Sequence, residues 1–280
     1  MIETRNLTKK FNDFTAVDHL NLRIETGEFF GFLGPNGAGK STTISMMSTV
    51  LLPTEGEILI DGKPLNRKDS IGKRKLSVIT QEYSMRQDMT MEEVMEYQGR
   101  LYFMPKKLRR EKTEELFAFA GLEEYRHRIV RHLSGGMKRK LMICRGLMID
   151  PEIMLLDEPT AGMDAISRRQ MWNLIRKMRT SGITIFLTTH YIDEAQALCD
   201  RVALIDQGKL NVVDTPDNLI HALGKYAVDE TDDEMLKTHY FRDRESAIAY
   251  LSQTNEDTVM RNSTLEDVFV ERIGKKLLKK

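Results

Sequence analysis

The stretch Gly34-Pro35-Asn36-Gly37-Ala38-Gly39-Lys40-Ser41 follows an apolar run at 29–33 and precedes a helical pattern that begins near Lys40. This is the spacing of a phosphate-binding loop set between a strand and a helix. Glycines let successive backbone N–H groups curl around an anion without Cβ clashes, and the following helix directs its positive dipole end at the phosphates. Lys40 is placed to reach the β- and γ-phosphates, and Ser41 to hold Mg²⁺. The competing reading, a Gly-rich turn that only links strand to helix, is disfavoured by the full spacing and its context. The motif marks a nucleoside-triphosphate site without choosing among kinases, GTPases and ATPases.

Working outward, 280 residues suit one large α/β domain with a subdomain, or a domain with a short tail. Lys+Arg and Asp+Glu balance at 42 each, so no overall positive field argues for a nucleic-acid partner. No apolar run approaches the roughly 20 residues needed to cross a bilayer, and Met1-Ile2-Glu3-Thr4-Arg5 has no secretory apolar region, so a soluble, cytoplasmic chain is expected. Cys144 and Cys199 form neither a disulfide framework nor a metal motif and read as small buried hydrophobes.

Short strands are expected at 2–6, 20–24, 29–33, 57–61 and 76–80, with Thr26-Gly27 and Asp61-Gly62 as turns. From about Thr90 to Met148 the spacing becomes helical, which reads as an insertion. Strand and helix then alternate: strands at 153–156, 183–187 and 202–205, helices at 165–179 and 192–198. Such alternation implies βαβ crossovers and a largely parallel buried sheet. Beyond about Asp214 the chain turns polar through Asp229-Glu230-Thr231-Asp232-Asp233-Glu234, with helical stretches at 244–253 and 265–273. The division expected is 1–89, an N-terminal β and nucleotide-binding core; 90–148, a helical subdomain; 149–215, the rest of the core; and 216–280, a small extension.

A second signal lies at Ile153-Met154-Leu155-Leu156-Asp157-Glu158, where two carboxylates emerge from an apolar strand. In an open α/β sheet ligands collect at the carboxyl ends of strands, so this pair should face the phosphates. Asp157 suits Mg²⁺, which keeps several waters and takes few protein carboxylates. Glu158 is placed to orient and deprotonate a water. Taken alone, such a pair reads equally well as a helix N-cap ahead of Pro159. Between the two signals, Leu133-Ser134-Gly135-Gly136-Met137 opens a helix running to about Met148, where a hydroxyl and backbone N–H groups offer a second phosphate site. Taken alone, that pentapeptide reads as an ordinary serine N-cap.

With this segment the chain resembles the ATP-binding cassette (ABC) family over nearly all of its length to about residue 215. The resemblance implies a P-loop NTPase core with a mostly parallel sheet, an N-terminal antiparallel β subdomain, and a helical insertion carrying the signature Ser134-Gly135-Gly136. It extends the nucleotide contacts through Thr42 and assigns Ser134 to Gly136 to the ATP held by another subunit. It further implies that Gln81 touches Mg²⁺ and water, that Asp164 crosses a dimer interface, that His190 is the switch contacting the γ-phosphate, and that Phe11 stacks on adenine, with Val17 beside the base. Each has an ordinary structural reading: a loop glutamine, an N-cap, a structural histidine, a core aromatic. Phe11 replaces the usual tyrosine, Met137 the usual glutamine, and Ala161-Gly162-Met163 a Ser-Ala-Leu-like run.

The family likeness implies an ATPase with ATP and Mg²⁺ as cofactors, forming a head-to-tail homodimer and driving a separate multi-span membrane permease from the inner face of the cell membrane. The segment 188–195 and the run Ser263-Thr264-Leu265-Glu266-Asp267-Val268-Phe269 look most like bacterial export cassettes of the drug and antibiotic resistance type. An importer subunit, or a soluble cassette acting on ribosome or DNA, is the alternative. Gln81 and the segment 82–91 form the expected permease-docking surface. The tail Lys275-Lys276-Leu277-Leu278-Lys279-Lys280 reads as a solvated helix end in preference to a lipid contact.

Overall fold

The structure, a computed structural model, describes residues 1–232, 235–254 and 258–274. It opens with β1 (Ile2–Phe11), β2 (Phe14–Ile24), β3 (Phe29–Leu33), α1 (Lys40–Met47), β4 (Glu55–Ile60), β5 (Lys63–Pro64), α2 (Ser70–Arg74) and β6 (Leu76–Ile79). Three longer helices follow, α3 (Met91–Leu101), α4 (Lys106–Ala120) and α5 (Gly135–Leu147). Alternation resumes with β7 (Ile153–Asp157), α6 (Ala165–Met178), β8 (Thr184–Thr189), α7 (Ile192–Leu198), β9 (Arg201–Asp206) and β10 (Lys209–Asp214). The chain continues through α8 (Pro216–Leu223), β11 (Tyr226–Asp232), β12 (Met235–Phe241), α9 (Arg244–Leu251), β13 (Val259–Asn262) and α10 (Leu265–Phe269).

The central sheet has the order β10-β9-β3-β8-β7-β6, parallel except for the β9–β10 edge pair. Strands β3, β7 and β8 are buried at every residue, as expected of strands covered on both faces. Period-two alternation sorts them: Phe29, Leu33, Met154 and Leu156 join one apolar cluster, Phe30, Phe32, Ile153 and Leu155 the other. The first cluster is completed by Met95, Phe117, Met142 and Ile175 from α3 to α6, the second by Ile44 of α1 and by Leu22, Ile24 and Ile58 of the antiparallel sheet β2-β1-β4-β5.

Register places the site. Leu33 pairs with Thr189, Asp157 with Thr188, and Ile79 with Leu156. Gly34, Glu158, His190 and Gln81 therefore all leave the sheet at the same edge, the carboxyl ends of parallel strands.

Two expectations change. β1 and β2 run longer than the short strands expected, because polar residues lie on their exposed positions and shifts in register, with Asn6 and His19 at positive φ, interrupt the alternation. The C-terminal extension also holds more than helices, since β11, β12 and β13 form an antiparallel sheet of order β12-β11-β13. Its charges obscured the strand pattern. Asp229 is held by Arg261 at 2.6 Å and by the Thr238 hydroxyl at 2.7 Å, while Ala227 and Val228 are buried. Asp233, Glu234 and the tail 275–280 lie outside the described residues.

Candidate nucleotide site

The loop after β3 has a shape that only glycine permits at two points. A Cβ on Gly34 would collide with the Ile205 carbonyl, and Gly39 sits at φ +105° with the Ala16 carbonyl where its Cβ would be. Gly39 is also the N-cap of α1 and supplies no side-chain cap, and no acidic residue occupies the first turn. Helical N–H donors are thus left for an outside acceptor, with the dipole favouring an anion. Lys40 is 5% exposed and donates to the carbonyls of Gly34 at 2.8 Å and Pro35 at 3.1 Å. Burial pushes its pKa down, while Glu158 and Asp157 pull it back up.

Opposite the loop, Asp157 ends β7. Its Oδ1 accepts from the Thr188 hydroxyl at 2.6 Å and the Ser41 hydroxyl at 3.3 Å. Glu158 follows at φ 47°, in the left-handed region, with its N–H donated to the Thr188 carbonyl at 3.0 Å. Its carboxylate is nearly buried, with Oε1 3.7 Å from Lys40 Nζ and Oε2 3.0 Å from His190 Nδ1. The His190 ring lies against Tyr191, tilted by 37° with ring centroids 4.1 Å apart.

Between these walls lies a cavity of about 660 Å³. It brings together Phe11, Asn36, Gly37, Gly39, Lys40, Ser41, Thr42, Gln81, Glu158 and His190. Gly34, Pro35 and Ala38 shape the loop without lining it, and Asp157 stands behind Ser41. Ala16 lines the rim where Val17 was expected, because Val17 points into the core and is fully buried. Phe14 and Tyr191 also line it. Phe14 faces Phe11 across the β1–β2 turn, a pairing that the hairpin register could have disclosed.

Ser134, Gly135, Gly136 and Asp164 lie outside this cavity. The Ser134 hydroxyl accepts from the Met137 N–H at 3.3 Å, and Asp164 caps α6 by accepting from the Ile166 and Ser167 N–H groups at 2.9 Å each. The Ser167 hydroxyl, foremost, holds the Asp164 pKa low. Arg139 had no sequence signal: buried on α5, it donates to the carbonyls of Thr80 at 2.6 Å and Gln81 at 2.8 Å. Tyr83 donates to the Gly135 carbonyl at 3.3 Å and Arg145 to Ser84, so the loop bearing Gln81 is fastened to the signature helix.

The sequence model of the ABC transporter family matches residues 17–161. This chain belongs to that family. The cassette is 37% identical over 262 residues to the daunorubicin/doxorubicin resistance ATP-binding protein DrrA of Streptomyces peucetius, covering 94% of this chain and 78% of DrrA. It is 39% identical over 219 residues to the probable multidrug ABC transporter ATP-binding protein YbhF of Escherichia coli (strain K12), covering 78% of this chain and 38% of YbhF. The cassette thus spans well under half of that relative's length. Its fold matches the dimeric post-hydrolysis structure of the ATP-binding cassette MJ0796 bound to ADP and Pi, with a TM-score of 0.68, 28% identity, and coverage of 77% of this chain and 98% of that one.

Proposed function

We propose that the cassette is the ATP-hydrolysing subunit of an export-type transporter, and that two copies close head to tail around two ATP. The observation that carries the chemistry is the Glu158 carboxylate, held between Lys40 and His190 on the wall of the phosphate-loop cavity. Glu158 takes a proton from a water whose oxygen attacks the γ-phosphorus. The bond from that phosphorus to the β–γ bridging oxygen breaks and ADP leaves with the electron pair. Lys40 exchanges its carbonyl partners for phosphate oxygens, and His190 orients the γ-phosphate. Phe11, with Phe14, offers the adenine an aromatic face.

Among the described residues no cluster of three or more His, Cys, Asp and Glu side chains is placed to hold a metal. Mg²⁺ does not need one. The Ser41 hydroxyl and the Asp157 carboxylate lie together as hard oxygen donors, with Gln81 on the same cavity wall, and this set fits Mg²⁺. When bound, the ion neutralises phosphate charge.

In the assembly proposed, Ser134 to Gly136 of each copy face the γ-phosphate held by the other, and Asp164 crosses the interface. ATP then closes the dimer because it binds the closed state more tightly. No helix among the described residues is long and apolar enough to cross a membrane. The proposal places the membrane spans on a separate permease subunit, as the family likeness implies, docked near Gln81 and the segment 82–91 at the inner face of the cell membrane. Export is favoured by the relatives, two of which are named for daunorubicin/doxorubicin or linearmycin resistance and others for Nod factor export.

The test is affinity purification of Glu158→Gln protein from detergent-solubilised membranes with ATP and Mg²⁺. A multi-span membrane protein should accompany it. Recovery of ribosomes, nucleic acid or soluble partners alone would overturn the transport reading and leave the ATPase reading standing.

A further inference from the structure

Glu194 is fully buried on α7 and forms no ion pair among the described residues. Its Oε1 accepts from the Thr160 hydroxyl at 2.8 Å and from the Trp172 indole N–H at 3.1 Å, while Oε2 is buried without a hydrogen-bond partner. Burial raises its pKa against the opposing pull of the Thr189 and Thr160 hydroxyls and the Trp172 indole. A buried carboxyl with one oxygen unsatisfied is costly and calls for an explanation.

Its place in the helix makes the arrangement more specific. With Tyr191 as N-cap, Glu194 is the third helical residue, where a glutamate ordinarily reaches back to the N-cap N–H. Here the Tyr191 N–H goes to the Thr189 hydroxyl at 2.9 Å, and Glu194 turns into the interior. The helix gives up a local cap, and the carboxyl gains partners from two distant segments.

Those segments flank the chemistry. Thr160, buried, lies two residues beyond Glu158 in a turn closed by the Ala161 N–H on the Glu158 carbonyl at 3.2 Å and the Met163 N–H on the Thr160 carbonyl at 3.1 Å. Glu158 holds a left-handed φ of 47°, which persists in a non-glycine residue only when its surroundings fix it. Trp172 belongs to α6, the helix that Asp164 caps. Glu194 itself stands four residues beyond His190, in the first turn of the helix that His190 precedes. A single carboxyl oxygen therefore ties the turn after Glu158 and the helix behind Asp164 to the helix that follows His190.

We propose that Glu194 is a positioning residue for ATP hydrolysis, holding the Glu158 turn and the His190 segment at the separation that pairs Oε2 with Nδ1. The proposal rests on the ATPase reading above. It assigns Glu194 no contact with nucleotide. The prediction is therefore a loss in kcat without a loss in ATP affinity.

The experiment compares Glu194→Ala, Glu194→Gln and Thr160→Val with the wild type in the full chain. It measures steady-state ATP hydrolysis, the Kd for ATP and the thermal midpoint. Glu194→Ala and Thr160→Val should lower kcat on the order of tenfold to a hundredfold, with KM and Kd for ATP nearly unchanged, because misplacing a base by about 1 Å costs that much. Glu194→Gln keeps an acceptor oxygen for Thr160 and Trp172 and should recover most of the rate. A folded Glu194→Ala protein with wild-type kcat would overturn the proposal. So would a glutamine variant no better than alanine, or an equal loss of rate and of ATP affinity. A wild-type protein without ATP hydrolysis would instead overturn the functional reading on which the proposal stands.

Discussion

Nδ1 of His190 stands 3.0 Å from Oε2 of Glu158. The other oxygen of that carboxylate faces Lys40 at 3.7 Å, so the base proposed here stands between the residues proposed as switch and as phosphate ligand. His190→Ala should lower kcat by roughly 10²- to 10³-fold, the range for removing one preorganised hydrogen-bonding group at the reacting centre. ATP affinity, measured by calorimetry, should change little. A variant with wild-type kcat would remove His190 from the mechanism.

Lys40 is buried against loop carbonyls, with its pKa depressed first by burial and supported by Glu158 and Asp157. Losing a charge-assisted contact to phosphate costs about 1.5–3 kcal/mol, so Lys40→Ala should bind ATP about 10- to 100-fold more weakly. Unchanged affinity in a calorimetric titration would place the phosphates elsewhere.

Arg139 has no carboxylate partner among the described residues. Its guanidinium is spent on the Thr80 and Gln81 carbonyls, and its Nε is buried unpaired. Arg139→Ala leaves both a cavity and two carbonyls short of donors, and should destabilise the fold by about 2–5 kcal/mol. Urea unfolding measures this directly. An unchanged midpoint would mean that the loop bearing Gln81 holds itself.

Glu96 ties α3 to α4 through Arg109, with Nε and Nη2 both 2.8 Å from its oxygens. The Arg109 hydrogen bonds, helped by Arg100 and opposed by partial burial, bring its pKa from the usual 4.5 down to about 2. A depressed folded-state value means that the stabilisation is fully present above about pH 4.5 and fades as pH falls toward about 2. Glu96→Gln should therefore be less stable than wild type at pH 7, and the gap should narrow below about pH 4.5 in urea titrations at stepped pH. A gap independent of pH would show that the pair contributes packing alone.

The parts of the site legible in the sequence are those written in neighbouring residues. The phosphate loop follows β3 at Leu33 as its glycines require, and α7 spans the residues its pattern suggested. Arg139, Thr188 and Glu194 escaped because their significance lies across the fold. Thr188 matters through its register with Asp157, Arg139 through carbonyls of a loop 58 and 59 positions away, and Glu194 through a threonine 34 positions earlier. The C-terminal sheet was hidden for a related reason. Arg261 pairs with Asp229 and Asp267 at once, so residues that look like solvated charge are structural.

The central claim is tested most directly by parallel assays of wild-type and Glu158→Gln protein, measuring ATP hydrolysis with Mg²⁺ alongside ATP binding. The account predicts Mg²⁺-dependent turnover by the wild type and a loss on the order of a hundredfold or more in the variant, with ATP binding retained. Near-normal hydrolysis by Glu158→Gln would contradict it.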